Sequence, residues 1–313
     1  MENNIYTNIE GKRKNREFEK KLKRTNKINK VIKLLLYFFL AAYALISFYP
    51  LFWALISSFV ESDKLKGIGI WPIPAGSKLT TENYNSLFTN PLTKQYATSW
   101  LMTSVIYSLS NATINCFFNF LAGYALARIS FKGRKIVIWY IIVALMIPVQ
   151  ATQVPQLYIL IKLGFIDPYQ SNFIWFIGIL TTGMTSGVLI FMVRQFYVNQ
   201  SASIEEAGMI DGLSRFKVFL KVSIRSMLPL LATQWAMIFI GSWNNFIMFT
   251  LWASGDPTRM TITAAFNILA DSKYGSSGTG RLLAATNLSI LPVLAVYVIS
   301  LKFQRKVMID GEK

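Results

Sequence analysis

The side chains available for chemistry in this chain are mostly uncharged amides, hydroxyls and aromatic rings. Ser108, Asn111, Asn115 and Asn119 recur at spacings of three, four and four, which sets them along one face of a helix. Gln150, Thr152 and Gln153 follow Pro148, and Trp243-Asn244-Asn245 sits inside another apolar run. Amides inside apolar runs have two uses, hydrogen bonds between helices, which is the commoner, or a wet path for a neutral polar solute. Aromatic rings beside amides suit a sugar, whose ring has an apolar face and a hydroxyl rim. A different set, Glu205, Glu206 and Asp211 around Ala207, Gly208 and Gly212, falls in a polar segment between apolar runs.

Other chemistries are closed by composition. The 313 residues include no histidine and one cysteine, Cys116. That excludes a disulfide framework, a Cys/His zinc site, a His-based triad, and haem or iron-sulfur ligation. No G-x-x-x-x-G-K-[ST] run occurs, so no P-loop cradles a nucleotide. The chain is expected to be no enzyme, with no catalytic residue, metal or cofactor of its own.

The elements that position these residues follow from hydropathy. Hydrophobic residues make up 53% of the chain and charged ones 15%, against about 25% charged in soluble domains. The apolar excess gathers into six runs long enough to cross a bilayer, at 31–58, 98–127, 136–161, 173–193, 229–252 and 283–301. None has the alternation of barrel strands, so the prediction is an all-α, polytopic helical bundle with six transmembrane helices. Apart from Lys33, no run holds Asp, Glu, Lys, Arg or His, which argues against a proton-coupled pump. Gly183-x-x-x-Gly187 is read as ordinary close packing.

Charge sets the orientation. Eleven of the 32 basic residues lie between Lys12 and Lys33, a basic cytoplasmic tail over 1–30 that anionic headgroups attract, ahead of a membrane domain over 31–313. The run that follows is too long for the core of a signal peptide. With the N-terminus inside, inner segments hold 24 basic residues and outer loops 8, which puts both termini in the cytoplasm by the positive-inside rule. Nucleic acid is not an expected partner, whereas membrane lipid is.

The inner loop at about 196–228 has internal order. Ser203 and Glu206 have the spacing of a capping box, and Gly212 suits a left-handed helix end, so one short helix is expected between them. A second starts at Ser214, with Lys217, Lys221 and Arg225 beside an apolar stripe of Phe216, Leu220, Ile224 and Met227. Two helices joined by a glycine turn make a rigid knob.

The run Glu205-Glu206-Ala207-Gly208-x-Ile210-Asp211-Gly212 resembles the EAA signature of permease subunits of ATP-binding-cassette importers. Thr81-Glu82-Asn83-Tyr84, Gly123-Tyr-Ala-Leu-Ala-Arg128, Met146-Ile-Pro148, Arg194-Gln-Phe196, Trp243-Asn244-x-Phe246 and Phe303-Gln304-Arg305 extend the resemblance from about Leu35 to Gly311. They point to the maltose-type, carbohydrate branch. Gly208 and Leu213 stand where that pattern has Ala, and Ser201 and Arg225 where it has Pro. The resemblance implies a coupling role toward an ATPase for Glu205, Glu206, Ala207, Gly208, Asp211 and Gly212. It implies a second permease subunit, two ATPase subunits that bind ATP and Mg, and an extracytoplasmic solute-binding protein. The membrane would be the bacterial plasma membrane, crossed several times. A sugar is the expected substrate, with Asn111, Asn115, Asn119, Trp243 and Asn244 as candidates for the translocation path. The alternatives are a permease for another solute such as glycerol phosphate, or a secondary transporter.

Overall fold

Apolar segments can satisfy their peptide groups within their own helical turns. Every regular element among the described residues is helical, and the one β contact is an isolated bridge between Val60 and Leu79. The computed structural model describes residues 2–65, 69–90, 93–167, 169–253, 255–270 and 278–311. In chain order the helices are α1 (Glu2–Ser57), α2 (Glu82–Thr89), α3 (Lys94–Arg128), α4 (Arg134–Ala144), α5 (Val149–Lys162), α6 (Asn172–Thr182) and α7 (Gly187–Asn199). They continue as α8 (Ser203–Ile210), α9 (Arg215–Val218), α10 (Ile224–Ser226), α11 (Leu228–Trp243), α12 (Phe246–Trp252), α13 (Ile262–Ala270) and α14 (Gly278–Gly311). The all-α class read from the sequence is the observed one. α1 runs unbroken across residue 30, where composition alone divides tail from membrane domain.

The centre is α3, which packs along both α7 and α11, while α14 packs on α11, α13 and α2. Trp100, Cys116 and Phe120 of α3 share a core with Val193 of α7 and Phe239 and Trp243 of α11. The α3–α7 approach depends on Gly123. A Cβ there would lie 2.5 Å from Val193 Cβ and 2.9 Å from the Ile190 carbonyl oxygen. A second cluster joins Tyr107 to Trp175, Phe249 and Trp252.

Two stretches are by themselves long and apolar enough to cross a membrane, Asn29–Ser57 and Gly278–Gln304. Three bent pairs reach that length and composition only when each is taken as one span: α4 with α5 at 105°, α6 with α7 at 51°, and Arg215–Ser226 with α11 at 82°. The runs at 136–161 and 173–193 fall in two of these pairs, interrupted at 145–148 and 183–186, and the run at 229–252 is divided at 244–245 between α11 and α12. The causes are local. Pro148 has no amide to continue α4 and instead precedes the first turn of α5, and Gly183 ends α6.

Side chains tie the loops at the end where α3 begins. Asn83 donates to the carbonyls of Ser58 and Val60 at 2.7 and 2.8 Å and accepts from Ser62 Oγ at 2.6 Å. Arg259, almost wholly buried, donates to Asn172 Oδ1 and the Asp167 carbonyl at 3.0 Å each, and also to the Gln170 carbonyl. It pairs with Asp256 at 3.4 Å and lies over the Trp175 ring. This clamp holds Asp167, Gln170 and Asn172 against the turn at 256–259.

Candidate functional site: a knob on the end of α3 and a polar seam

At the other end of α3, α8 stops at Asp211 and the chain reverses through Gly212, whose φ is +83°. Leu213 N donates to the Gly208 carbonyl and Gly212 N to the Met209 carbonyl, both at 3.1 Å, the bond pair of a glycine-terminated helix. Ser214 then caps α9 by accepting from Lys217 N at 3.4 Å. The helix–glycine–helix reading holds, but its start differs. Ala202 is the N-cap, Ser203 is the first helical residue, and Ser203 N donates to Ser201 Oγ at 3.3 Å. The polar cap has moved upstream, so Ser203 and Glu206 do not form a capping box.

The second helix also differs from its periodicity. Its buried face is Val218, Phe219, Ser223 and Met227, while Phe216 and Leu220 are exposed. A five-residue π segment, Phe219–Ser223, joins α9 to α10. Its wider turn rotates the stripe away from a strict 3.6-residue period.

The six residues of the signature face two ways. Glu205 and Gly208 are buried, whereas Glu206, Ala207, Asp211 and Gly212 are exposed. The Glu205 carboxylate pairs with Arg128 Nε at 2.9 Å and accepts from Ser223 Oγ at 3.1 Å. Arg128, in the last turn of α3, also donates to the Gln200 carbonyl at 3.0 Å and lies 5.6 Å above the Tyr197 ring. Tyr124 packs against both Tyr197 and Phe219 around this pair. The knob is therefore bolted to the C-terminal end of α3 by a shielded ion pair. Its outer surface presents Ile204 at 64%, Ile210 at 85% and Phe216 at 58% exposure. Sequence reasoning gave Arg128, Ser223 and Tyr197 no role. A single arginine ending a span, opposite an acidic doublet, is the one signal that pointed to the first of them.

The asparagine face of α3 is buried, and the amide N–H groups of all three asparagines are engaged, while Asn111 Oδ1 has no hydrogen-bond partner among the described residues. Asn111 Nδ2 donates to Ser242 Oγ at 2.7 Å, Asn115 Nδ2 to the Gly183 carbonyl, and Asn119 Nδ2 to Asn115 Oδ1. Asn119 Oδ1 accepts from Ser186 N at 2.8 Å. The ladder thus serves backbone groups freed where α6 breaks from α7. A Cβ on Gly183 would stand 2.5 Å from Asn111 Oδ1, so that glycine admits the asparagine. Trp243 is fully buried, its Nε1 donating to Ser289 Oγ at 3.0 Å. Asn244 alone of these five candidates is exposed, at the C-terminus of α11, on a stripe with exposed Met237 and Gly241. Asn245 beside it caps α12 through Met248 N.

The family model for binding-protein-dependent transport system inner membrane components matches residues 119–309. The arabinooligosaccharides transport system permease protein of Halalkalibacterium halodurans is 28% identical over 280 residues, covering 89% of this chain and 94% of that protein. The trehalose/maltose transport system permease protein of Thermococcus litoralis is 26% identical, covering 85% and 90%. In fold, the chain is similar to a bacterial ABC transporter involved in import of the acidic polysaccharide alginate. That match has a TM-score of 0.73 at 20% identity and covers 89% of this chain and 97% of the other.

Proposed function

Because the chain belongs to the family of binding-protein-dependent transport system inner membrane components, we propose that it is one permease subunit of an ATP-binding-cassette importer for a neutral sugar or oligosaccharide. The knob carries this reading: a helix pair locked from within by Glu205 and Arg128, with Glu206, Ala207, Asp211 and apolar Ile204 and Ile210 turned outward. The energy comes from two ATPase subunits, which bind ATP and Mg, and a second permease subunit completes the path. A solute-binding protein outside delivers the sugar. When the ATPases close, the tip moves with them, and the ion pair passes that motion to α3 and so to α7 and α11. The lumen then exchanges inward for outward access, as a population shift between two states.

In this reading the path meets the solute along the Met237–Gly241–Asn244 stripe, where the free amide of Asn244 contacts a sugar hydroxyl. Asn111, Asn115, Asn119 and Trp243 hold that wall in place. The test is reconstitution with the second permease, ATPases and binding protein. ATP hydrolysis is expected to rise when the binding protein carries a neutral mono- or oligosaccharide. Asn244→Leu is expected to lower uptake several-fold while leaving ATPase assembly intact, since it removes a hydrogen-bond partner away from the knob. Stimulation by glycerol phosphate or by peptides, with none by a carbohydrate, would move the substrate to another class.

The orientation in this reading follows the basic bias, with both termini inside and six crossings: α1, α3, which carries the run at 98–127, the bent pairs α4–α5 and α6–α7, α11 with α12, which carry the run at 229–252, and α14. With Cys116→Ala as background, Ser77→Cys is expected to react with an impermeant thiol reagent in intact cells, and Ser130→Cys and Ser214→Cys to stay unlabelled. Labelling of Ser214→Cys in sealed cells would put the knob on the wrong side for a cytoplasmic ATPase.

A further inference from the structure

Between the end of α3 and the start of α4 a cavity of about 550 Å3 opens, within the range of small-molecule sites. Arg134, Lys135 and Arg194 line it together with Phe131, Ile136 and Ile138, and no carboxylate does. Arg194 Nε is shielded from solvent and has no hydrogen-bond partner. Arg134 is steered by Nη2, which donates to the Ala127 carbonyl at 3.2 Å, and this leaves the rest of its fork for another acceptor. Gly133, with φ +89°, turns the chain into the 11-residue α4, where Arg134 N donates to the Phe131 carbonyl at 3.3 Å and the next amides, of Lys135 and Ile136, face this end. Free amides at a helix start favour an anion.

The wall that continues from this pocket is apolar. α4 buries none of its residues, and Ile136, Trp139 and Tyr140 are 74%, 66% and 74% exposed. A cationic pocket opening onto an unburied apolar helix matches a ligand with a phosphate at one end and hydrocarbon at the other. The pocket also lies at the knob's end of the bundle, since Arg194 belongs to α7 just ahead of Gln200, which bonds Arg128.

We propose that this cavity is a specific site for an anionic phospholipid, with the headgroup phosphate between Arg134, Lys135 and Arg194 and the acyl chains along Ile136 and Tyr140. The assignment rests on the reading that this end faces the cytoplasmic leaflet, where anionic lipid meets basic pockets between spans. Bound there, the lipid would brace the 128–135 loop next to Arg128, the residue that holds the knob.

The test uses the full chain purified in detergent, titrated with phosphatidylglycerol or with phosphatidylcholine of the same acyl chains, and read by native mass spectrometry. The expected result is one phosphatidylglycerol bound about 10-fold more tightly than phosphatidylcholine and not displaced by excess inorganic phosphate. Arg134→Gln with Arg194→Gln should remove the preference, whereas Arg134→Lys with Arg194→Lys and the distant Lys162→Gln should keep it. Equal binding of the two lipids by the wild-type chain would overturn the proposal, as would an unchanged preference in the double glutamine variant. Displacement by inorganic phosphate would make the cavity a plain anion site and overturn the lipid assignment. Binding in detergent is read without transport, so a failed sugar assay and a failed lipid site give different results.

Discussion

Glu205→Lys is expected to leave membrane insertion near wild type and to cut both ATPase retention and solute uptake to below about a tenth. The carboxylate is buried, pairs with Arg128 at 2.9 Å and accepts from Ser223. Removing one member of a buried pair costs about 3–5 kcal/mol, because the other charge is left uncompensated, and lysine adds a second cation beside Arg128. That cost exceeds what the exposed face of an eight-residue helix recovers, so α8 should leave its seat while the spans stay folded. Glu205→Gln should fall between, since an amide still accepts from Ser223 and Arg128. The checks are copurification of the ATPase subunits and uptake in vesicles, with protein level measured alongside. Wild-type uptake by Glu205→Lys would mean that the ion pair does not position the knob.

Gly123→Val is expected to act on the bundle itself. The added Cβ would stand 2.5 Å from Val193 Cβ and 2.9 Å from the Ile190 carbonyl, and a backbone oxygen in a packed helix cannot swing aside as a side-chain tip can. Overpacking of this kind costs about 1–3 kcal/mol, and separation of α3 from α7 would also disturb the Asn115 and Asn119 bonds to the α6–α7 break. The expected result is a drop in detergent melting temperature of roughly 2–5 °C, with lower membrane abundance. Gly241→Val serves as the comparison, because a Cβ there meets nothing within 4 Å and melting should hold. Equal melting of the two variants would show that α3 and α7 separate without cost.

Much of this protein is legible in the residues alone. Long uncharged runs dictate helices because lipid offers no partner for a free peptide group, and missing histidine and P-loop residues exclude whole classes of chemistry. The spacing from Glu205 to Gly212 gives a helix that ends on a left-handed glycine, because the relevant forces act within a few residues. The same locality explains Ser214 as a cap.

Tertiary structure decided which way each polar group points. Glu205 and Glu206 are adjacent and chemically alike, yet one lies against Arg128 and the other is exposed, and Arg128 is 77 positions from Glu205 in the chain. Period alone set Phe216, Leu220, Ile224 and Met227 on one apolar stripe, but across the π segment Phe219–Ser223 Met227 packs inward while Phe216 and Leu220 stay exposed. Asn111, Asn115 and Asn119 stand on one face in any helix. Whether that face meets a solute or another helix depended on where α6 breaks and where α11 packs: the broken backbone at Gly183–Ser186 bonds Asn115 and Asn119, and Ser242 of α11 accepts from Asn111. Short-range preferences fix helices, caps and turns, whereas the partner of a buried polar side chain is chosen by long-range packing, which brings distant segments into contact and makes an unpaired group costly.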